Sequence, residues 1–257
     1  MKMFKIETHL HTTYSSQCGI LSAKEIVDGY LEAGYSAVIV TDHYSRDTFQ
    51  YLGVGTEAGQ DKVDAFLTGY RMVKEEGEKR GLKVYRGAEV RFDGSWNDYL
   101  LYGYSDALLQ DPESIFTLGV EAFYAKCQED GAMLIHAHPY RNGGKPTTPA
   151  ALDGVEVLNA NSDHDEHNDY ARMFAQLNSL SMTAGSDAHG PSQIGKAGIL
   201  LEHLPKDEQE LVQMIKKLSF LDIDRYFYNH LNNCEEIPEA LASWQTVEKA
   251  QQKLGFF

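Results

Sequence analysis

Positive charge is scarce in this chain: 23 lysines and arginines face 38 aspartates and glutamates, a formal charge of −15 over 257 residues. Such a surface repels a long phosphate backbone, so long nucleic acid is not the expected partner and a small anionic substrate fits better. Cysteine is scarce too. Cys18, Cys127 and Cys234 are odd in number and show no CxxC spacing, which argues against a disulfide framework or a thiolate zinc knuckle and fits a reducing cytoplasm. No apolar run approaches the ~20 residues needed to span a bilayer, and no signal-peptide pattern opens the sequence, so a cytoplasmic protein without a membrane partner is expected. The absence of a GxSxG motif or a paired Cys and His motif weighs against a covalent acyl-enzyme route.

What is present is a repeating strand and helix pattern. "FKIETHLH" reads as a strand; "SAKEIVDGYLEAGY" follows as a helix with Ser22 as N-cap and Glu25 three residues later. "SAVIVTDH" is a β-branched run, "DKVDAFLTGYRMVKEEGEKRG" a helix ended by Gly81, and "LKVYRGAEVRF" a further strand. "DYLLYGY", a helix around 113–129, "AMLIHAHP", "GVEVLNA", a helix around 167–179 and "SMTAGSDAH" complete seven candidate strands that mostly alternate with helices. This order predicts a parallel sheet, open or closed into a barrel, in one domain over 1–257. Residues from about 205 read as a helical C-terminal region packed on it.

The chemistry-bearing residues fall at the carboxyl ends of these strands: His9 and His11, Asp42 and His43, Glu89, His136 and His138, Asn159, and Asp187 and His189. In a parallel barrel those ends share one face, where active sites are built. In an extended backbone i and i+2 project to one side, so His9 and His11 can offer two imidazoles to one ion, or simply be hydrogen-bonded. Recurrence of such groups at later strand ends favours metal, because burying many ionisable groups is costly without compensating charge. Mixed imidazole and carboxylate donors suit zinc, manganese or iron.

The motifs "THLHTTYSS", "VIVTDHY", "GAEVRF", "IHAHPYR", "VEVLNAN" and "GSDAHG", in this order between about residues 5 and 200, resemble those of the polymerase and histidinol phosphatase (PHP) phosphoesterases. The resemblance implies a distorted seven-stranded TIM-like (β/α)7 barrel holding two or three divalent transition-metal ions. By position it implies that His9, His11, Glu89 and Asp187 ligate one ion, that Glu89 and His138 ligate a second, and that His43 and His189 ligate a third. Where many relatives carry an aspartate, this chain has Ser16, and a carboxylate restored there is expected to strengthen the third site; Cys18 lies close by. Where relatives often carry a histidine, Asp98 is the nearest replacement and is expected on the metal.

Arg141, on the loop after "HAHP", is read as a phosphate clamp, with Arg46 and Arg91 as weaker candidates. His136 is read as sharing the face of His138 and supporting it. His164 and His167 belong most simply to a solvated helix start, and "GKAGILL" has no phosphate-loop spacing. The expected activity is hydrolysis of a small phosphorylated metabolite or nucleotide by metal-activated water, with His43 or His189 as acid or base if its metal site is vacant. Two other readings are an exonuclease or nucleotide bisphosphatase acting on short oligonucleotides, and a metal-containing regulatory module without catalysis.

Overall fold

The computed structural model describes residues 3–218 and residue 223. Nine strands form one sheet: β1 (Phe4–Glu7), β2 (Ala37–Val40), β3 (His43–Tyr44), β4 (Lys83–Arg91), β5 (Asp98–Tyr102), β6 (Met133–His136), β7 (Gly154–Asn159), β8 (Ser181–Gly185) and β9 (Ile199–Leu201). Their order is β8-β7-β6-β5-β4-β2-β1-β9, with the two-residue β3 beside β4. The helices are α1 (Ala23–Glu32), α2 (Arg46–Tyr51), α3 (Gln60–Phe66), α4 (Thr68–Arg80), α5 (Pro112–Leu118), α6 (Val120–Asp130), α7 (Asn168–Leu177) and α8 (Glu208–Ile215). Only α8 represents the expected C-terminal helical region; residues 219–222 and 224–257 lie outside the described residues.

All seven strands read from the sequence are present, and β3 and β9 are additions. "GKAGILL" supplies β9, which pairs antiparallel to β1. The expected parallel direction fails at β5, which runs antiparallel to both β4 and β6. The cause is length: six residues separate β4 from β5, whereas a parallel crossover needs a dozen or more. This reversal sets the start of β5, and hence Asp98, at the same mouth as the ends of the parallel strands. The two long helices are also interrupted, the first at Leu67 between α3 and α4 and the second at Gly119 between α5 and α6.

Local signals hold elsewhere. Ser22 and Glu25 form a reciprocal capping box that starts α1, and Ile26, Val27 and Tyr30 bury its inner face. Gly81 ends α4 in the left-handed conformation. β2 is buried along its whole length, as a strand covered on both faces must be. The barrel closes beyond its last regular strands, where Leu10 bridges Ala188 in parallel and the His11 amide donates to the Ala188 carbonyl at 3.0 Å. His9, His11 and Asp187 flank that closure.

Candidate metal centre

Glu89 is the hub of the mouth. Its Oε1 lies 3.3 Å from His9 Nε2 and 3.0 Å from His138 Nε2, and its Oε2 lies 3.4 Å from His11 Nε2 and 2.8 Å from His43 Nδ1. One carboxylate therefore faces two separate histidine pairs. Asp187 Oδ1 adds a second anion, 3.3 Å from His9 Nε2 and 3.1 Å from His11 Nε2. Spacings of this size are those of two donors sharing an ion at about 2.1 Å. The donor atoms form four overlapping groups: His9 with Glu89 and His138; His9 with His11 and Asp187; His43 with Glu89 and Asp98; and His11 with His43 and His189.

The donors fit metal in a further respect. His9 Nε2 is buried and makes no hydrogen bond among the described residues. A buried polar atom without a partner costs about 1–3 kcal/mol, and a cation ligated by that atom removes the cost. Strain collects at the same place: His138 (φ 29°) and Asp187 (φ 48°) are non-glycine residues with positive φ. Such backbone typically costs about 1–3 kcal/mol and clusters at functional sites.

Several residues position these donors. Glu156 in β7 takes the other nitrogen of His9, Nδ1, at 2.9 Å through Oε1, while its Oε2 accepts from the His138 amide at 3.1 Å and from Asn159 Nδ2 at 2.9 Å. This bond aims His9 Nε2 into the centre, as a carboxylate behind a ligating histidine does. Gly185 makes the approach possible, because a Cβ there would stand 2.4 Å from His9 Cβ and 2.9 Å from Glu156 Oε1. Glu7 Oε1 accepts from the amides of Thr8, His9 and Ser186, each at 2.9 Å, and so ties β1 to β8; burial pushes its carboxyl up to about 7 against those hydrogen bonds.

Reading the sequence alone missed Glu156 and Glu7 as functional candidates. The available signal was a glutamate inside an otherwise apolar strand.

The charge balance is tight. Burial disfavours the charged form of His9, but Asp187, Glu156 and Glu89 outweigh it and raise its pKa well above normal. Burial also opposes charge on Glu89 and Asp187, yet the neighbouring His9 helps hold both well below the usual carboxylate range. His11 goes the other way, lowered by burial and by His189 and His43. His43 and His189 are the partly exposed members, and both are raised despite desolvation, chiefly by Glu89 for His43 and by Cys18 for His189. Partial desolvation raises the Cys18 thiol, but hydrogen bonding to His189 and His43 outweighs it and brings the pKa to about 6.

The remaining sequence candidates separate. Asp98 reaches the mouth, 3.9 Å from His138 Nε2, but Arg91 grips both its oxygens, at 2.6 and 2.5 Å. Arg141 sits beside the centre, its Nε on Glu166 at 2.9 Å and its Nη2 on Asp187 Oδ2. Arg46 binds Asp93 and Glu113 on the surface.

Ser16 bears on one expectation. Its hydroxyl donates to Asp42 Oδ1 at 2.8 Å and accepts from the His43 amide at 3.0 Å, so it builds the loop that presents His43. Asp42 also takes Thr12 N and Oγ1, at 2.7 and 2.8 Å. The N-terminal turn of α4 lies so close that a Cβ on Gly69 would stand 2.2 Å from Asp42 Oδ2. A carboxylate at position 16 would thus face the Asp42 carboxylate.

His136 corrects another, for the positive φ at His138 breaks strand alternation. The His136 ring stacks on Tyr99 with centroids 5.0 Å apart, and its Nδ1 accepts from the Thr147 amide at 3.3 Å. His164 lines a cavity with His138 and Arg141, whereas His167 stacks on Tyr170.

This barrel and its mouth have counterparts among solved structures. A two-domain protein from Bacteroides vulgatus, containing a predicted PHP-like metal-dependent phosphoesterase, superposes with a TM-score of 0.60 at 17% identity, over 84% of this chain and 63% of that one. The chain has the PHP fold. A family model described as PHP-associated matches residues 165–219, which include α7, β8 and α8. PsfC from Pseudomonas syringae superposes on this chain at a TM-score of 0.54 and 18% identity, over 83% and 88% of the two chains. The lesion-specific endonuclease EndoQ of Pyrococcus furiosus does so at 0.56 and 16%, over 85% of this chain and 57% of its own. This chain thus spans less than two thirds of the first and third of these proteins. No curated protein matches the sequence. Among the described residues no helix is long and apolar enough to cross a membrane.

Proposed function

We propose that this chain is a metal-dependent phosphoesterase that hydrolyses a small phosphorylated metabolite or a nucleotide. The observation that carries the proposal is Glu89, one buried carboxylate whose two oxygens face different histidine pairs. In this reading His9, His11, Glu89 and Asp187 hold one divalent ion. Glu89 and His138, with Asp98, hold a second, and His43 and His189 hold a third if it is present. Zinc, manganese and iron all suit this donor set. Ions held there supply Lewis acidity that polarises a phosphoryl group and lowers the pKa of water.

The protein's own groups do the rest. Without a third ion, His43 and His189, with side chains 21% and 22% exposed and raised pKa values, are equipped to hold a proton for a departing oxygen. Arg141 brings a guanidinium to the same mouth, where it can meet phosphate oxygens. A cavity of ≈ 550 Å³, lined by Asp98, His138 and Arg141 among others, is of a size for a small ligand. The charge of −15 favours such a ligand over an oligonucleotide.

The test is a phosphate-release screen over phosphorylated metabolites, mononucleotides and short oligonucleotides, with manganese, zinc and iron in turn. Release from small esters supports the proposal. A metal-saturated protein inert to the whole panel would point to a regulatory module, and salt-sensitive cleavage of oligonucleotides alone would point to a nuclease.

A further inference from the structure

Trp96 has a relative exposure of 93%, the highest of the large exposed hydrophobic side chains in the described residues; the next, Ile20, has 68%. A flexible loop would fold an indole against the protein to remove it from water. The loop from 92 to 97 is tied down at several points instead. The Asp93 amide donates to the Phe116 carbonyl at 2.8 Å, the Ser95 amide to the Phe92 carbonyl at 3.1 Å, and the Asn97 amide to Ser95 Oγ at 3.0 Å. Asn97 Nδ2 reaches the Lys145 carbonyl at 3.2 Å, and the Arg91–Asp98 pair closes the base of the loop. The backbone that carries the indole is therefore held in place before any ligand arrives.

The indole stands at the rim of the cavity proposed above for the substrate. The ≈ 550 Å³ cavity has Asp98, His138 and Arg141 at the metal centre and Trp96 among its remaining lining residues. Several nearby side-chain groups are already paired: both Asp98 oxygens with Arg91, Asn97 Nδ2 with the Lys145 carbonyl, and Asn142 Nδ2 with His164 Nδ1 at 3.4 Å. Those groups offer the hydroxyls of a sugar or polyol no free partner. A planar ring needs only the indole face.

We propose that Trp96 is a stacking platform for an aromatic ring in the substrate's leaving group, so that the centre prefers phosphate esters of the nucleoside type over those of plain sugars. This inference rests on the phosphoesterase reading above and specifies its substrate class.

Trp96 and Trp244 are the chain's two tryptophans, so a Trp244→Phe background makes fluorescence report Trp96 alone. The metal-loaded protein is titrated with adenosine 5′-monophosphate, ribose 5-phosphate and inorganic phosphate. Calorimetry on the parent and on Trp96→Ala and Trp96→Phe variants, with Trp244 retained, runs in parallel. The expected result is quenching by the nucleotide and an affinity about tenfold or more above that of ribose 5-phosphate, within the range of base stacking on an aromatic side chain. Trp96→Ala should abolish that preference without changing ribose 5-phosphate binding, and Trp96→Phe should keep most of it.

Equal affinities in the parent, or a preference that survives Trp96→Ala, would overturn the proposal. If both esters are hydrolysed with equal KM, the phosphoesterase reading stands and the stacking role falls. If neither is hydrolysed while quenching and preference persist, stacking stands and hydrolysis falls.

Discussion

Glu156→Gln should weaken metal binding by about tenfold to a hundredfold, the usual effect of removing the hydrogen-bond partner of a ligating histidine. The substitution preserves volume, so the loss follows from donors and acceptors. In the wild-type chain both Glu156 oxygens accept: Oε1 from His9 Nδ1, and Oε2 from the His138 amide and Asn159 Nδ2. Glutamine has one carbonyl oxygen and one NH₂ group, so one of these faces must meet a donor with a donor. If the NH₂ faces His9, Nδ1 must become the acceptor and Nε2 the protonated nitrogen, which removes its lone pair from the ion. If it faces β6, the His138 amide loses its partner at a residue already strained at φ 29°.

The first arrangement takes a ligand from the ion, and the second leaves a buried donor unsatisfied at a cost of about 1–3 kcal/mol. The assay is competition with a chelator of known affinity, beside thermal melting of the metal-free protein. Metal affinity within twofold of the parent, in a variant that melts normally, would refute the idea that Glu156 sets the His9 tautomer.

Asp187→Asn should abolish hydrolysis while circular dichroism and melting show a folded chain, because it removes an anion facing His9, His11 and Arg141. Near-normal turnover at sub-saturating metal would exclude Asp187 as a ligand. Ser16→Asp should gain no ion by elemental analysis, since the new carboxylate faces Asp42. It should also destabilise the fold by about 1–3 kcal/mol through lost buried hydrogen bonds. Burial already raises Asp42 in the parent, and losing the Ser16 hydrogen bond raises it further, so the repulsive part should be present at high pH and relieved as pH falls, when one carboxyl takes a proton. Metal affinity should rise with pH and binding should release protons, because His9, His43, His138 and His189 are all raised in the metal-free centre and must lose protons to ligate. Calorimetry in buffers of different ionisation enthalpy measures that release, and none near pH 7 would refute the charge assignment. Arg141→Ala should raise KM for a phosphate ester while metal content stays intact; kinetic constants within about twofold would remove it from recognition.

The strand ends were legible because the HxH, TDH, GAEV, HAHP and GSDAH segments each join an apolar run to a donor, and strand periodicity then predicts one shared mouth. What escaped prediction depends on long-range geometry. The direction of β5 follows from a six-residue connection and a neighbour, not from its own apolar pattern. His136 looked like a partner of His138 because alternation was assumed across a residue that breaks it. Glu7 and Glu156 carry no motif of their own; their meaning appears only when His9, Gly185 and Ser186 are brought against them. Ser16 looked like a missing ligand in sequence, whereas in space it is a strut between Asp42 and His43.

The closure of the barrel has its own consequence. β1 meets the chain beyond β8 through residues 9, 10 and 11 on one side and 188 on the other, and the two chain segments that make this seam also carry His9, His11 and Asp187. An ion bound by those three side chains would cross-link the seam from within. Loading should therefore slow hydrogen exchange at the amides of His11 and Ala188 more than at β4 or β5, and chelation should open the barrel there first.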